Sequence, residues 1–174
     1  EQVNMASNPE AYEYYLKGQY KFEKRVTLED LMVARGFYQK AVELDSTLIT
    51  AMIKLAKTFQ YTNEFDTYME LSRKALNKAK KIGDKTNQAY AYMGIGTAYY
   101  LRDGDIDKAQ EYFLKGDEIA QEVGDKVLQT RFLNNLAITY TSKGEIDKAL
   151  KYMKEMLAIA EELNDKLTLV YAYT

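Results

Sequence analysis

The chain has 174 residues, 47% of them hydrophobic, with 24 basic against 26 acidic side chains and a formal net charge of −2. That balance allows a buried core and gives no general pull toward nucleic acid or anionic membrane. His and Cys are both absent, which removes disulfides, thiol nucleophiles, imidazole bases and the usual zinc sites.

Residues 1–7 form a tail ahead of the first periodic segment, and EQVNMASNPE does not read as a signal peptide. Because it lacks an initiator Met, a processed product or an excised fragment is expected. From residue 8 the chain repeats. GDIDKAQEY at 104–112 returns as GEIDKALKY at 144–152, and a weaker copy, NEFDTYMEL, lies at 63–71. A second marker runs between them: IGDK at 82–85, VGDK at 123–126 and LNDK at 163–166. Two interleaved markers with one period mean two turns per repeat, and the intervening apolar spacing is helical.

The expected units are 8–46, 47–83, 84–124 and 125–164, with a partial unit at 165–174. In the first, Leu16 and Tyr20 mark one helix and Ala34, Tyr38 and Ala41 a second, joined by a longer turn, FEKRVTLED. The second reads Met52, Leu55, Ala56, Phe59, then Tyr68, Ser72, Ala75. The third reads Tyr92, Ile95, Gly96, Tyr99, then Ala109, Phe113, Gly116. The fourth reads Leu133, Leu136, Ala137, Tyr140, then Ala149, Met153, Met156. Gly83, Gly104, Gly124 and Gly144, with Asn63 and Asn164, stand where a helix should end in a left-handed residue. Asp84, Asp125 and Asp165 are placed to cap the helix that follows.

These residues resemble the tetratricopeptide repeat: a large residue, Leu and a small residue, an aromatic, then a small–large–small trio on the second helix. A period near 40 is similar to the subfamily found in kinesin light chains and bacterial peptide-sensing regulators. NPEAYEYYLKGQYKF looks like repeats appended to bacterial nucleotide cyclases and serine/threonine kinases. The resemblance implies an all-α, right-handed superhelical solenoid of four antiparallel helix pairs plus a fifth first-helix. LNDKLTLVYAYT starts that helix without a polar cap, so a longer native protein is expected.

Chemical alternatives are weak. Asp103, Asp105 and Asp107 have the spacing of early calcium-loop ligands, but Lys108 stands where Gly is needed and Leu114 where a bidentate Glu is needed. GIG at 94–96 lacks the third Gly of a dinucleotide loop, and no strand precedes it. The acidic residues fall at caps and exposed faces such as Glu161 and Glu162, so no catalytic residues and no metal or cofactor are expected. KALNKAKKIGDK at 74–85 is the one basic run and reads as a solvated helix face.

The resemblance implies a non-catalytic protein-interaction scaffold whose first helices line a concave groove. By register its lining is Tyr14 and Lys21, then Ile53, Lys57 and Gln60, then Tyr90, Met93, Thr97 and Tyr100, then Arg131, Asn134, Ile138 and Thr141. Tyr and Met offer adaptable contact area, and Asn134 a bidentate amide. The alternative is that several of these residues pack against a neighbouring repeat. The clamp that repeats of this kind use for acidic chaperone tails is missing, because Tyr14, Gly18, Ile53, Met93 and Thr97 occupy its positions. The expected partner is a protein or peptide, within a larger signalling or regulatory protein. Self-association through the terminal helix, or sensing of a small peptide, are the alternatives. Neither nucleic-acid binding nor membrane insertion is expected.

Overall fold

A computed structural model describes residues 8–163, in which α1 (Pro9–Lys24), α2 (Leu28–Leu44), α3 (Ile49–Gln60), α4 (Phe65–Ile82), α5 (Lys85–Ala98), α6 (Ile106–Glu122), α7 (Lys126–Ser142) and α8 (Ile146–Leu163) follow one another. The described residues contain no strand, so the all-α expectation holds. Asn164, Asp165 and the fifth first-helix lie outside them. The chain divides into two compact units, residues 1–87 and 88–174.

Local chemistry sets the corners. Asn63, Gly83, Gly104, Gly124 and Gly144 all have positive φ, between 60° and 75°, as the turn spacing predicts. Asn is the one L-residue among them, because its short side chain tolerates the left-handed region best. Asp84, Asp105 and Asp125 each accept a backbone N–H three residues on, at 2.8–3.0 Å. Thr27 and Asp30 form a reciprocal capping box that starts α2 after the long turn.

In the first unit, aromatic rings close on small residues. A Cβ on Gly18 of α1 would sit 2.7 Å from the Tyr38 ring of α2, so the two helices meet at the one position with no side chain. Leu31, Ala34, Tyr38, Phe22 and Leu55 make one core cluster; Ala11, Ala41, Leu48 and Ala51 make another. This corrects the sequence assignment of the first helix. Leu16 and Tyr20 are 45% and 62% exposed, whereas Ala11, Gly18 and Phe22 are buried. Spacing alone allowed both stripes, and the Tyr38 ring selects the one containing Gly18.

Arg35 ties α2 to the α3–α4 corner. Its guanidinium donates to the Thr58 hydroxyl (3.1 Å), the Thr58 carbonyl (2.9 Å), the Thr62 hydroxyl (2.6 Å) and the Glu64 carboxylate (2.8 Å). It also stacks 3.9 Å from the Phe59 ring centroid. A buried cation is tolerable here because most of its donors are used.

The second unit repeats the theme. A Cβ on Gly96 would lie 2.6 Å from the Phe113 ring, and one on Gly116 would lie 2.2 Å from the Phe132 ring. Ala89, Ala109, Phe113, Ala120, Leu128, Phe132 and Leu136 form the core. Met153, placed by spacing in the core of α8, is 39% exposed, while Ala149 and Met156 are buried.

One feature of this unit departs from a plain repeat. Tyr99–Asp103 forms a π-helical turn at the end of α5. Four residues separate Tyr99 from Gly104, but three separate Tyr140 from Gly144. The extra residue is absorbed as a wider turn. The same carbonyl still gets capped: Asp105 N–H reaches Tyr99 O at 3.1 Å, as Glu145 N–H reaches Tyr140 O at 2.9 Å.

Candidate partner-binding surfaces

The acidic corner at 103–107 is structural. Asp103 is paired with Arg102 at 2.7 Å, Asp105 caps α6 and pairs with Lys108 at 2.9 Å, and Asp107 accepts from Lys143 at 2.7 Å. The Arg102 hydrogen bond holds the Asp103 carboxyl below the usual range, and the bonds from Lys108 do the same for Asp105. No cluster of ligating carboxylates capable of holding a metal occurs among the described residues.

In the first unit, Tyr14, Ile53, Lys57 and Gln60 are half-buried and Lys21 is exposed. The Tyr14 ring lies 6.2 Å from that of Phe37, and Lys17 Nζ sits 5.2 Å above it. Lys57 Nζ reaches 6.0 Å from the Phe22 ring centroid. Tyr14 also packs against the Ala11–Ala41 cluster, so part of its surface is already used by the fold. Arg25 stacks between Phe22 and Tyr61, 3.8 and 4.6 Å from their centroids. This cation on the long turn was not among the residues expected at the surface site.

In the second unit, α5 carries Tyr90, Met93 and Thr97, with Tyr100 in the π-turn after it; all four are half-buried. Tyr90, Met93 and Tyr100 rest against the core cluster, so the packing alternative holds for part of each side chain. From α7, Arg131, Asn134, Ile138 and Thr141 are exposed, Ile138 at 43%. The Tyr100 hydroxyl lies 2.9 Å from the Ser142 hydroxyl of α7. Ser142 was not anticipated from the sequence, because its role depends on where the π-turn aims Tyr100. Tyr99 is turned toward Tyr112, with rings stacked at 5.5 Å. The chemistry offered is amphipathic: aromatic and thioether area with a guanidinium, an amide and hydroxyls, and no nucleophile–base pair.

The sequence at residues 88–162 matches a family model described as tetratricopeptide repeat. No curated protein sequence matches the chain. Among solved structures, BtubC from P. vanneervenii aligns with a TM-score of 0.73 at 20% identity, covering 89% of this chain and 65% of its own. Aspartyl phosphate phosphatase F from Bacillus subtilis aligns at 0.76 and 21%, covering 94% and 43%. A Rap protein complexed with Competence and Sporulation Factor aligns at 0.57 and 19%, covering 97% and 59%. The chain therefore spans less than two thirds of each of these proteins, and the likeness is one of fold.

Proposed function

Residues 88–162 are a tetratricopeptide-repeat segment, and from that premise we propose that the chain is a protein-interaction module which takes a peptide or partner segment on its first helices. Repeats of this fold typically act by binding rather than by catalysis. The observation that carries the reading is the α5–α7 surface. There Arg131, Asn134 and Ile138 are exposed beside half-exposed Tyr90, Met93, Thr97 and Tyr100, a mixture of apolar anchor and polar donor suited to an extended or helical segment. Lys57, with Tyr14, Ile53 and Gln60, supplies a smaller surface of the same kind in the first unit. The structurally similar Rap protein bound to Competence and Sporulation Factor supports this class of partner. A role inside a larger signalling or regulatory protein is the biological setting proposed.

A peptide-library screen against the wild-type chain and the Tyr90→Ala/Met93→Ala/Asn134→Ala variant tests the surface. Selected peptides should bind the variant at least about tenfold more weakly. Equal affinity for both proteins rejects the assignment.

A further inference from the structure

The third repeat ends its first helix differently from its neighbours. Three residues separate Phe59 from Asn63 and Tyr140 from Gly144, but four separate Tyr99 from Gly104. The same carbonyl is nevertheless capped in all three: Glu64, Asp105 and Glu145 N–H reach Phe59, Tyr99 and Tyr140 O at 3.0, 3.1 and 2.9 Å. The extra residue is therefore taken up between fixed points, as the π-turn Tyr99–Asp103. A residue in such a turn advances by less than the roughly 100° of an α-helix. The side chains that follow Tyr99 are re-aimed relative to those that follow Tyr140.

Tyr100 is the first of them. Its ring rests against the core cluster, and its hydroxyl lies 2.9 Å from that of Ser142 at the end of α7. At the equivalent place in the fourth repeat, the Thr141 hydroxyl turns back onto its own helix and donates to Ala137 O at 2.9 Å. The proton between Tyr100 and Ser142 follows from the surroundings. Ser142 gives its single hydroxyl proton to Ile138 O at 3.0 Å, so Tyr100 donates and Ser142 accepts. With its own proton engaged, the Tyr100 oxygen has lone pairs to offer and no donor. Arg131, in the first half of α7, offers donors only. The α5–α7 surface thus differs in hydrogen-bond sign from one end to the other.

We infer that Tyr100 determines specificity on the α5–α7 surface: its hydroxyl, oriented by Ser142 and placed by the π-turn, accepts a backbone N–H of the bound segment. The inference rests on reading that surface as the partner site, and it chooses between the two kinds of segment the surface suits. A helix spends its N–H groups on its own carbonyls beyond the first turn, whereas an extended strand presents free ones along its length. The ligand is an extended peptide.

Peptides selected on the wild-type chain test this when they are N-methylated one backbone position at a time. They are titrated against wild type, Tyr100→Phe, Ser142→Ala and a chain lacking Leu101, which restores the three-residue ending. Tyr100→Phe removes one oxygen from an exposed hydrogen bond, and the Leu101 deletion gives the spacing that already ends α7. Circular dichroism should therefore stay at wild-type helicity for all three variants. Against wild type, methylation at one position should weaken binding about tenfold; against Tyr100→Phe the same methylation should cost about threefold or less. Deleting Leu101 should shrink the cost equally, and Ser142→Ala, which frees the Tyr100 proton, should shrink it in part. Equal methylation costs on wild type and Tyr100→Phe would overturn the role of Tyr100 alone, with the surface still standing on the weak binding of the Tyr90→Ala/Met93→Ala/Asn134→Ala variant. If that triple variant binds as well as wild type, or no peptide is selected, the surface falls and the role of Tyr100 with it. A selected peptide that binds as a helix would also overturn the inference.

Discussion

Replacing Gly116 by Ala should destabilise the second unit, although Ala is the better helix former. The added Cβ would stand 2.2 and 2.3 Å from two carbons of the Phe132 ring, against about 3.5–4.0 Å for carbon atoms in contact. The ring must retreat by more than about 1 Å. It is fully buried among Ala109, Phe113, Ala120, Leu128 and Leu136, so it has nowhere to go without moving α6 from α7. Overpacking of this kind costs about 3 kcal/mol, and the gain in helix propensity returns about 1 kcal/mol. A net loss of about 2 kcal/mol is expected. Gly36 in α2 is the control: it is exposed, and a Cβ there would meet nothing within 4 Å. Gly36→Ala should therefore stabilise by about 0.5–1 kcal/mol. Urea unfolding followed by circular dichroism should show the two midpoints moving in opposite directions with similar slopes. In the Gly116→Ala background, Phe132→Leu should cost at least about 1 kcal/mol less than it does alone, because it vacates the space the methyl needs. If Gly116→Ala stabilises as much as Gly36→Ala, close approach at this crossing is not what sets the α6–α7 spacing.

Arg35→Met keeps the apolar stem but leaves the Thr58 carbonyl and hydroxyl buried with a donor lost; about 3 kcal/mol of the first unit's stability should go, measured by the same unfolding assay. Glu64→Gln should cost under about 1 kcal/mol, since the Glu64 side chain is 47% exposed and water can replace its partner. Comparable losses from the two substitutions would show that the ion pair, rather than the contacts to Thr58 and Thr62, dominates. Asp117 on α6 is 7% exposed, has one oxygen without a partner and receives the other bond from Gln121 at 2.7 Å. Burial raises its carboxyl above the ordinary value, with Glu155 and Glu118 adding to the effect. A raised acid favours the protonated folded form, so this contribution is present at low pH and fades as pH climbs from about 4 through the raised value. Asp117→Asn should therefore raise the thermal midpoint at pH 7 and flatten its fall between pH 4 and 7; identical pH profiles for variant and wild type would refute this.

The corners and helices were legible because their causes are local. A left-handed residue at positions 63, 83, 104, 124 and 144, a carboxylate at 84, 105 and 125, and the helical spacing between them each act within one turn of chain, so one strand of text contains the whole argument. Even the π-turn left a trace, the single residue by which the third repeat's first helix exceeds the fourth's. The expected surface residues were legible as a register but not as exposures. How far Tyr90, Met93 and Tyr100 are consumed by the core depends on α6 and α7, which supply most of the cluster they rest against and lie further along the sequence. The same holds for α1, where two apolar stripes were available and the text preferred Leu16 and Tyr20. Only the Tyr38 ring against Gly18 decides that the stripe through Ala11, Gly18 and Phe22 faces inward. Burial is a property of pairs of helices, and a helix read alone shows which faces could be buried without showing which one finds a partner.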